Sequence, residues 1–191
     1  MKTIVIDTAS SYLYLAFLSA DKIIHEEFFL GKGRHSENFL ETLKAGLRRH
    51  ELSLSDFDRI YLGIGPGSYT GLRVGVTVAK VLGWALNIPV YTASSLSLLA
   101  SGYFHKDGIY AVSIIAKKNY YFGKVAQVKE GKVLTLVDDF CADAQAYMQT
   151  IKEYDCFLVN EDNYLVDPTK IEFRPVANLH ELNPNYLRRS V

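Results

Sequence analysis

The pattern of hydrophobic and polar residues predicts a three-stranded beginning followed by a helix. Short apolar stretches at residues 3–7, 12–18 and 22–29 are typical of strands, and a turn at Ala20-Asp21 joins the second to the third. From about Ser36 to His50 the apolar residues recur at helical spacing, and basic residues in the last turn complement the helix dipole. The apolar face of this predicted helix consists of Phe39, Leu40, Leu43 and Leu47.

The next stretch alternates strands with helices. Residues 60–64 alternate apolar and polar positions as a strand does, a glycine-rich turn follows, and a long helix begins directly after the turn. A short strand at 90–91 and a helix over 95–103 complete the first half. This order favours a mixed α/β unit with an antiparallel meander on one side.

The second half of the chain is expected to form a smaller and less regular domain. The expected elements are strands over 109–115, 120–128 and 132–136, a helix over 142–154, a short buried strand over 156–159, and a helical turn near 176–182 within a mostly irregular ending. We therefore expect an N-terminal α/β domain over 1–104, which carries the glycine-rich turn, and a smaller C-terminal α/β domain over 105–191.

The glycine-rich turn is the string Gly63-Ile-Gly-Pro-Gly-Ser-Tyr-Thr-Gly-Leu-Arg-Val-Gly75. Gly65 and Gly67 allow a tight turn where most side chains would clash, and Ser68 or Thr70 can cap the following helix. A strand, a glycine turn and a capped helix together can direct free backbone N–H groups at an anion. A tight strand-to-helix connection with no ligand is an equally open interpretation, because such turns are common.

The helix after the turn carries a ridge of very small residues, spaced four apart. The ridge consists of Gly71, Gly75, Ala79 and Gly83. Large apolar residues occupy most other positions, and Arg73, Thr77 and Lys80 form one narrow polar stripe. A helix that is apolar nearly all round must be covered on several sides. We expect packing on the chain's own sheet to cover part of it, and a second chain to lie against the small-residue ridge and the remaining apolar surface.

Composition indicates an ordinary intracellular globular protein. The 191 residues are 49% hydrophobic, and 21 basic residues balance 21 acidic ones, so autonomous binding to nucleic acid is not expected. Cys141 and Cys156 show neither metal-ligand spacing nor a disulfide framework. No secretion signal and no apolar run of membrane-spanning length is visible, so we expect a cytoplasmic location without membrane contact.

Candidate catalytic residues are few. Asp7 ends the first strand and could hold Mg²⁺ for phosphoryl transfer, but a role in capping the turn with Thr8 and Ser10 is favoured, since no second acid lies nearby in sequence. The five histidines are never four residues apart, so the helical zinc-protease pattern is missing. Neither Ser36 nor Ser68 has an evident base beside it. We predict no catalytic residue, no metal and no cofactor.

Four motifs resemble the TsaB (YeaZ) family of bacterial proteins. They are Asp7-Thr8, Arg34-His-Ser-Glu37, the string from Gly65 to Gly75, and Pro184-Asn-Tyr-Leu-Arg188. The resemblance implies an actin/Hsp70-like (ASKHA) α/β fold of two lobes, with a shortened second lobe. It also implies a role in the threonylcarbamoylation of adenosine 37 in tRNAs that read ANN codons.

In that family the protein is a non-catalytic subunit that binds the catalytic subunit TsaD directly and forms a ternary complex with TsaE. The resemblance implies a homodimer in isolation and contact with tRNA only through the complex. The residues expected to bind the partner are Phe39, Leu43, Gly71, Arg73, Val74, Gly75, Val78, Ala79 and Leu82. The residues expected to form a degenerate nucleotide-cleft loop are Asp7, Thr8, Gly65, Gly67 and Ser68.

Several departures separate the chain from catalytic relatives of the same fold. The segment Thr92-Ala-Ser-Ser-Leu-Ser97 lacks the His-x-x-x-His pair of TsaD-type proteins, and residues 114–121 lack their phosphate-binding glycine pair. Ile115-Ala-Lys117 and Tyr120 also depart from an acidic pattern common in the TsaB family. A small-molecule kinase of this fold and a metal-dependent protease are therefore the alternatives that the sequence argues against.

Overall fold

The structure is a computed structural model that describes residues 1–31 and 35–187. Two compact units are present. The first contains residues 1–64, 68–93 and 173–184, and the second contains 65–67, 94–172 and the stretch from 185. The domains expected over 1–104 and 105–191 stay a prediction. The two compact units divide the chain at other positions. Two motif residues, Arg34 and Arg188, lie outside the described residues.

The first unit is built on a six-stranded sheet. Its strands are β1 (Lys2–Asp7), β2 (Tyr12–Ser19), β3 (Lys22–Leu30), β4 (Arg59–Gly63), β5 (Val90–Ala93) and β10 (Arg174–Pro175). Strands β6 to β9 belong to the second unit. The spatial order is β10-β5-β4-β1-β2-β3. Strands β1, β2 and β3 pair in antiparallel fashion, whereas β4 lies parallel to both β1 and β5. The predicted mixed α/β unit with an antiparallel meander on one side is confirmed.

Two helices, α1 (His35–Arg49) and α2 (Tyr69–Leu86), cover one face of this sheet. Short 3₁₀ turns lie at Leu54–Asp56 and Leu179–Glu181. The core between helices and sheet contains large apolar side chains from both layers, among them Ile4, Phe17, Leu62 and Val76. Phe39 and Leu43, from the apolar face predicted for α1, are buried in this core.

The second unit is built on a four-stranded sheet. It contains α3 (Ser95–Ala100), β6 (Gly108–Lys117), β7 (Tyr120–Lys129), β8 (Lys132–Asp143), α4 (Ala144–Ile151) and β9 (Phe157–Val159), with 3₁₀ turns at Ser101–Tyr103 and Pro168–Lys170. The strand order is β8-β7-β6-β9, and β9 runs parallel to β6. Helix α4 packs on one face through Tyr147 and Ile151, which contact Ala111 and Val125.

Strand β8 is longer than predicted, and helix α4 is shorter. The apolar alternation stops at Asp138-Asp139, which is why the sequence indicated a strand over 132–136 only. The strand continues because the buried Lys124 ammonium lies 3.1 Å from an Asp139 carboxylate oxygen and stabilises the charge inside the unit. Asp143 then caps α4 by accepting a hydrogen bond of 2.9 Å from the Ala146 N–H.

Candidate functional site

Helix α2 begins and ends at identifiable local signals. The Ser68 hydroxyl accepts a hydrogen bond of 3.3 Å from the Gly71 N–H, which confirms the predicted cap. At the other end Asn87 adopts a left-handed conformation, with φ of 54°, that stops the helix. The helix is thereby fixed over Tyr69–Leu86 between two strands of the sheet that it covers.

The small-residue ridge of α2 faces the chain's own sheet. Gly71, Gly75, Ala79 and Gly83 are all buried. A Cβ atom on Gly75 would lie 2.6 Å from the Thr8 Oγ1 atom, and one on Gly83 would lie 2.9 Å from the Val90 Cγ2 atom. The interpretation of this ridge as a docking strip for a second chain is therefore wrong. The glycines let the helix approach β1 and β5 within its own unit.

The burial of the ridge changes the set of residues that a partner can contact. Of the predicted partner-binding residues, Phe39, Leu43, Gly71, Gly75 and Ala79 lie inside the first unit and would be reached only by opening it. The sequence showed that a ridge exists, but not which side of the helix the sheet occupies. The polar stripe of Arg73, Thr77 and Lys80 was the better guide, since these residues lie on the uncovered side.

The uncovered side of α2 is apolar beyond that stripe. Trp84 is 76% exposed, and Tyr69 and Val81 are each more than half exposed. Beside them lies a groove of about 450 Å³, here named the α1/α2 groove, whose lining is Leu40, Tyr69, Thr70, Arg73, Val74, Thr77 and Val78. The predicted residues Arg73, Val74 and Val78 are thus brought together, and Leu82 is partly buried at the edge of the core.

Sequence reasoning missed the rest of this surface. Leu40 was assigned to the apolar face of α1, but it is 54% exposed and lines the groove. Trp84 and Val81 follow Arg73 and Thr77 along the same side of α2, so the polar stripe carried a signal that could have found them. A stripe of this kind marks the solvent side even where its neighbours are apolar.

Arg73 is held in place at the rim of the groove. Its guanidinium donates a hydrogen bond of 2.9 Å to the Tyr69 hydroxyl and lies 5.4 Å from the centre of that ring. The pair therefore combines a hydrogen bond with a cation–π contact between residues one helical turn apart.

The glycine-rich turn uses its own backbone donors. The Gly65 N–H donates to the Ser95 hydroxyl at 2.9 Å, and the Ser68 N–H donates to the Ala9 carbonyl at 2.7 Å. The Gly71 N–H is occupied by the Ser68 cap. Gly65 has φ of 105°, a conformation that favours glycine, so the residue type is required by the turn itself. Three donors that could have faced an anion are thus engaged within the chain.

Asp7 and Thr8 also have structural contacts. An Asp7 carboxylate oxygen accepts a hydrogen bond of 2.8 Å from the Ala9 N–H, which confirms the predicted turn-capping role. The Thr8 hydroxyl donates to the Gly71 carbonyl at 2.7 Å and ties β1 to the start of α2. In residues 1–31 and 35–187, no three His, Cys, Asp or Glu residues are grouped so that they could hold a metal ion. No helix in those ranges has both the length and the apolar character needed to cross a membrane.

Comparison with known proteins identifies relatives of the whole fold. The model of the family described as "TsaD: tRNA N6-adenosine threonylcarbamoyltransferase" matches residues 30–151, more than half of the chain. The tRNA threonylcarbamoyladenosine biosynthesis protein TsaB of Bacillus subtilis is 33% identical over 155 residues, which are 81% of this chain and 68% of that protein. TsaB of Escherichia coli is 30% identical over 125 residues, which are 65% of this chain and 53% of that protein.

A solved structure agrees with these matches. The crystal structure of an uncharacterized protein with similarity to peptidase YeaZ from Pseudomonas aeruginosa superposes with a TM-score of 0.78. The superposition covers 98% of this chain and 99% of that chain at 19% identity, so it shows the fold alone. The present chain spans about two thirds of the B. subtilis relative and about half of the E. coli one. The predicted actin/Hsp70-like α/β class is confirmed, and the chain belongs to the TsaB (YeaZ) family of tRNA threonylcarbamoyladenosine biosynthesis proteins.

Proposed function

We propose that this chain is a non-catalytic subunit that binds TsaD through the uncovered side of α2 and the adjoining α1/α2 groove. In this role it supports the threonylcarbamoylation of adenosine 37 in tRNAs that read ANN codons, with TsaE as a third component. It acts in the cytoplasm and contacts tRNA only through the complex.

The exposed apolar surface of the first unit carries this proposal. Trp84, Val81, Tyr69 and Leu40 expose large apolar areas on α1 and α2, and exposed apolar surface of this kind marks interaction sites. Tryptophan, tyrosine and arginine dominate the binding energy of protein interfaces, and all three occur here, since Arg73 lies beside Tyr69. Without its partner, the same surface favours a symmetric homodimer.

The contacts of the glycine-rich turn support the non-catalytic part of the proposal. Phosphate-binding loops present several backbone N–H groups to the ligand. Here the N–H groups of Gly65, Ser68 and Gly71 donate within the chain, and Asp7 accepts within its own turn. The equal numbers of basic and acidic residues also agree with indirect contact to tRNA.

Co-purification with TsaD tests the proposed surface. The variant Trp84→Ala/Val81→Ala removes two exposed side chains without touching the core, so it should fold normally. We expect its affinity for TsaD to fall about 30-fold or more, as for loss of an interface hot spot. The matched control is Leu134→Ala, which removes a half-exposed leucine from β8 in the second unit and should leave the affinity unchanged.

The rate of tRNA modification should change in the same variants as the affinity for TsaD. Supplied with an activated threonylcarbamoyl donor and tRNA, TsaD and TsaE mixed with the wild-type chain or with the control should modify the tRNA. The same mixture with the double variant should not do so at equal concentrations. Full affinity of a folded Trp84→Ala/Val81→Ala variant for TsaD would refute the proposed surface. Activity of TsaD and TsaE that is the same with and without the chain would refute the proposed function.

A further inference from the structure

The second unit leaves part of one sheet face uncovered. A helix is about 10 Å wide, and neighbouring strands lie about 4.8 Å apart, so a single helix covers about two strands. The sheet has four strands, and α4, which has only 8 residues, packs mainly on β7 and β8 and reaches β6 at Ala111. Ile115 near the carboxyl end of β6 and Leu158 on β9 are therefore only partly covered.

Burial along β6 shows where the cover ends. On the face that carries α4, Ala111 is fully buried and Ser113 is buried, but Ile115 is 55% exposed. Met148 on α4 and Leu158 on β9 are also about half exposed. Between them lies a groove of about 370 Å³, here named the α4/β9 groove. Its apolar walls are completed by the rings of Tyr121 and Tyr147, whose centres lie 5.4 Å apart.

Two carboxylates stand at one end of this groove. Glu161 and Asp162 lie in the turn that follows β9, after Asn160, and line the groove. Their turn is fixed by backbone hydrogen bonds, since the Asp162 N–H donates to the Asn160 side chain and the Asn160 N–H donates to the Asn163 side chain. Within the described part of the chain neither carboxylate forms an ion pair. The groove thus combines apolar walls with an acidic rim.

We propose that the α4/β9 groove binds a segment of a partner protein in which an apolar side chain is followed by arginine or lysine. The apolar side chain would pack between Met148, Leu158 and Ile115, and the cationic group would reach Glu161 and Asp162. Arginine suits this rim because its planar guanidinium can pair with carboxylates and stack on tyrosine rings.

The geometry argues against two other occupants. Small-molecule pockets bury most of their ligand, whereas the walls here are themselves about half exposed. A second copy of the chain related by two-fold symmetry would present the same patch and would place Glu161 and Asp162 near their own copies, which is repulsive. An extended basic and apolar segment satisfies both the walls and the rim.

The two methionines of the chain provide a direct reporter. Met148 lines the groove, whereas Met1 lies in the first unit, so ¹³C-methyl labelling gives one signal at the site and one internal reference. The probe is the peptide Ac-Leu-Arg-Leu-Arg-NH₂, with Ac-Leu-Glu-Leu-Glu-NH₂ as its acidic counterpart. We expect the basic peptide to shift the Met148 signal saturably without moving Met1. The acidic peptide should have no effect.

Charge variants separate the groove from general attraction to an acidic protein. Glu161→Gln/Asp162→Asn should weaken binding of the basic peptide about tenfold, the effect of two partly exposed ion pairs. The control Glu153→Gln/Asp155→Asn removes the same charge from two exposed acids outside the groove and should change affinity less than twofold.

Three results would overturn the proposal. The first is a Met148 signal that does not move, and the second is equal weakening by the control variant. The third is binding of Ac-Arg-NH₂ as tightly as the tetrapeptide, which would identify a small-molecule site instead. These outcomes do not depend on TsaD, so they test the groove separately from the proposed function.

Discussion

Substitution of Gly75 by alanine tests whether the small-residue ridge serves packing within the subunit. The added Cβ atom would lie 2.6 Å from the Thr8 Oγ1 atom and 3.4 Å from the Leu62 Cδ1 atom. The first distance is too short for any real contact, so Thr8 must move. Its hydroxyl, which donates to the Gly71 carbonyl inside the unit, would then lose a buried hydrogen bond.

The expected magnitude follows from three opposing effects. Alanine in place of glycine inside a helix stabilises by about 1 kcal/mol. Overpacking of a filled core destabilises by about 1–3 kcal/mol, and loss of the Thr8 hydrogen bond destabilises by about 1 kcal/mol more. We therefore expect Gly75→Ala to lower the free energy of unfolding by roughly 1–3 kcal/mol. A docking strip on the surface would instead give a gain of about 1 kcal/mol.

Urea unfolding followed by circular dichroism measures this difference, and a double-mutant cycle assigns it. Thr8→Ala removes the atom in conflict, so Gly75→Ala should become neutral or stabilising in that background. Ala85→Gly, at an exposed position of α2, calibrates helix propensity and should destabilise by about 1 kcal/mol. A Gly75→Ala variant that is more stable than the wild type, with no coupling to Thr8, would refute the packing argument.

Three further predictions concern other parts of the chain. Burial lowers the pKa of His25. The carboxylate of Glu27 raises it, but His50 and Arg49 lower it further, and the net change is downward. As the pH falls, His25 is therefore protonated in the unfolded chain before it is protonated in the folded one. Stability should therefore fall as the pH drops below about 6.5, and urea midpoints should show less of this loss in His25→Gln. Lys124→Met leaves Asp139 buried without its cation and should lower the free energy of unfolding by about 3–5 kcal/mol. The double variant Lys124→Met/Asp139→Leu should recover most of the lost stability, because it leaves no buried charge. An equal loss of stability in the double variant would contradict this reasoning. Calorimetry with ATP and the isolated chain should detect no micromolar binding, because the N–H donors of the glycine-rich turn are engaged; micromolar binding would favour a kinase.

Much of the first unit follows from local patterns in the sequence. Short apolar stretches bounded by turn residues predicted β1, β2 and β3, because such a stretch indicates a strand without information from distant residues. The Ser68 cap and the Asp7 turn are also local, since each hydrogen bond joins residues no more than three positions apart. The family likeness rests on the same motifs, because strings such as Gly65 to Gly75 encode a turn that few other residues allow.

Elements that depend on distant partners were predicted less well. The second half of β8 contains Asp139, which the buried Lys124 of β7 and the Ser94 hydroxyl make acceptable inside the unit. The strand Arg174–Pro175 has two residues and no periodicity, yet it pairs with β5 from more than 80 positions away. Neither feature leaves a signal within a window of ten residues.

Local patterns suffice to show that α2 is a helix with one side of small residues, one polar stripe and more apolar surface than a single contact covers. The packing of the small-residue side on the chain's own sheet, with Trp84 and Leu40 facing outward, is visible only once the strands are in place. The helical period shows which residues share a side of the helix, but it does not show which side packs on the sheet. The strands determine that side, here through the close approach of Gly75 to Thr8.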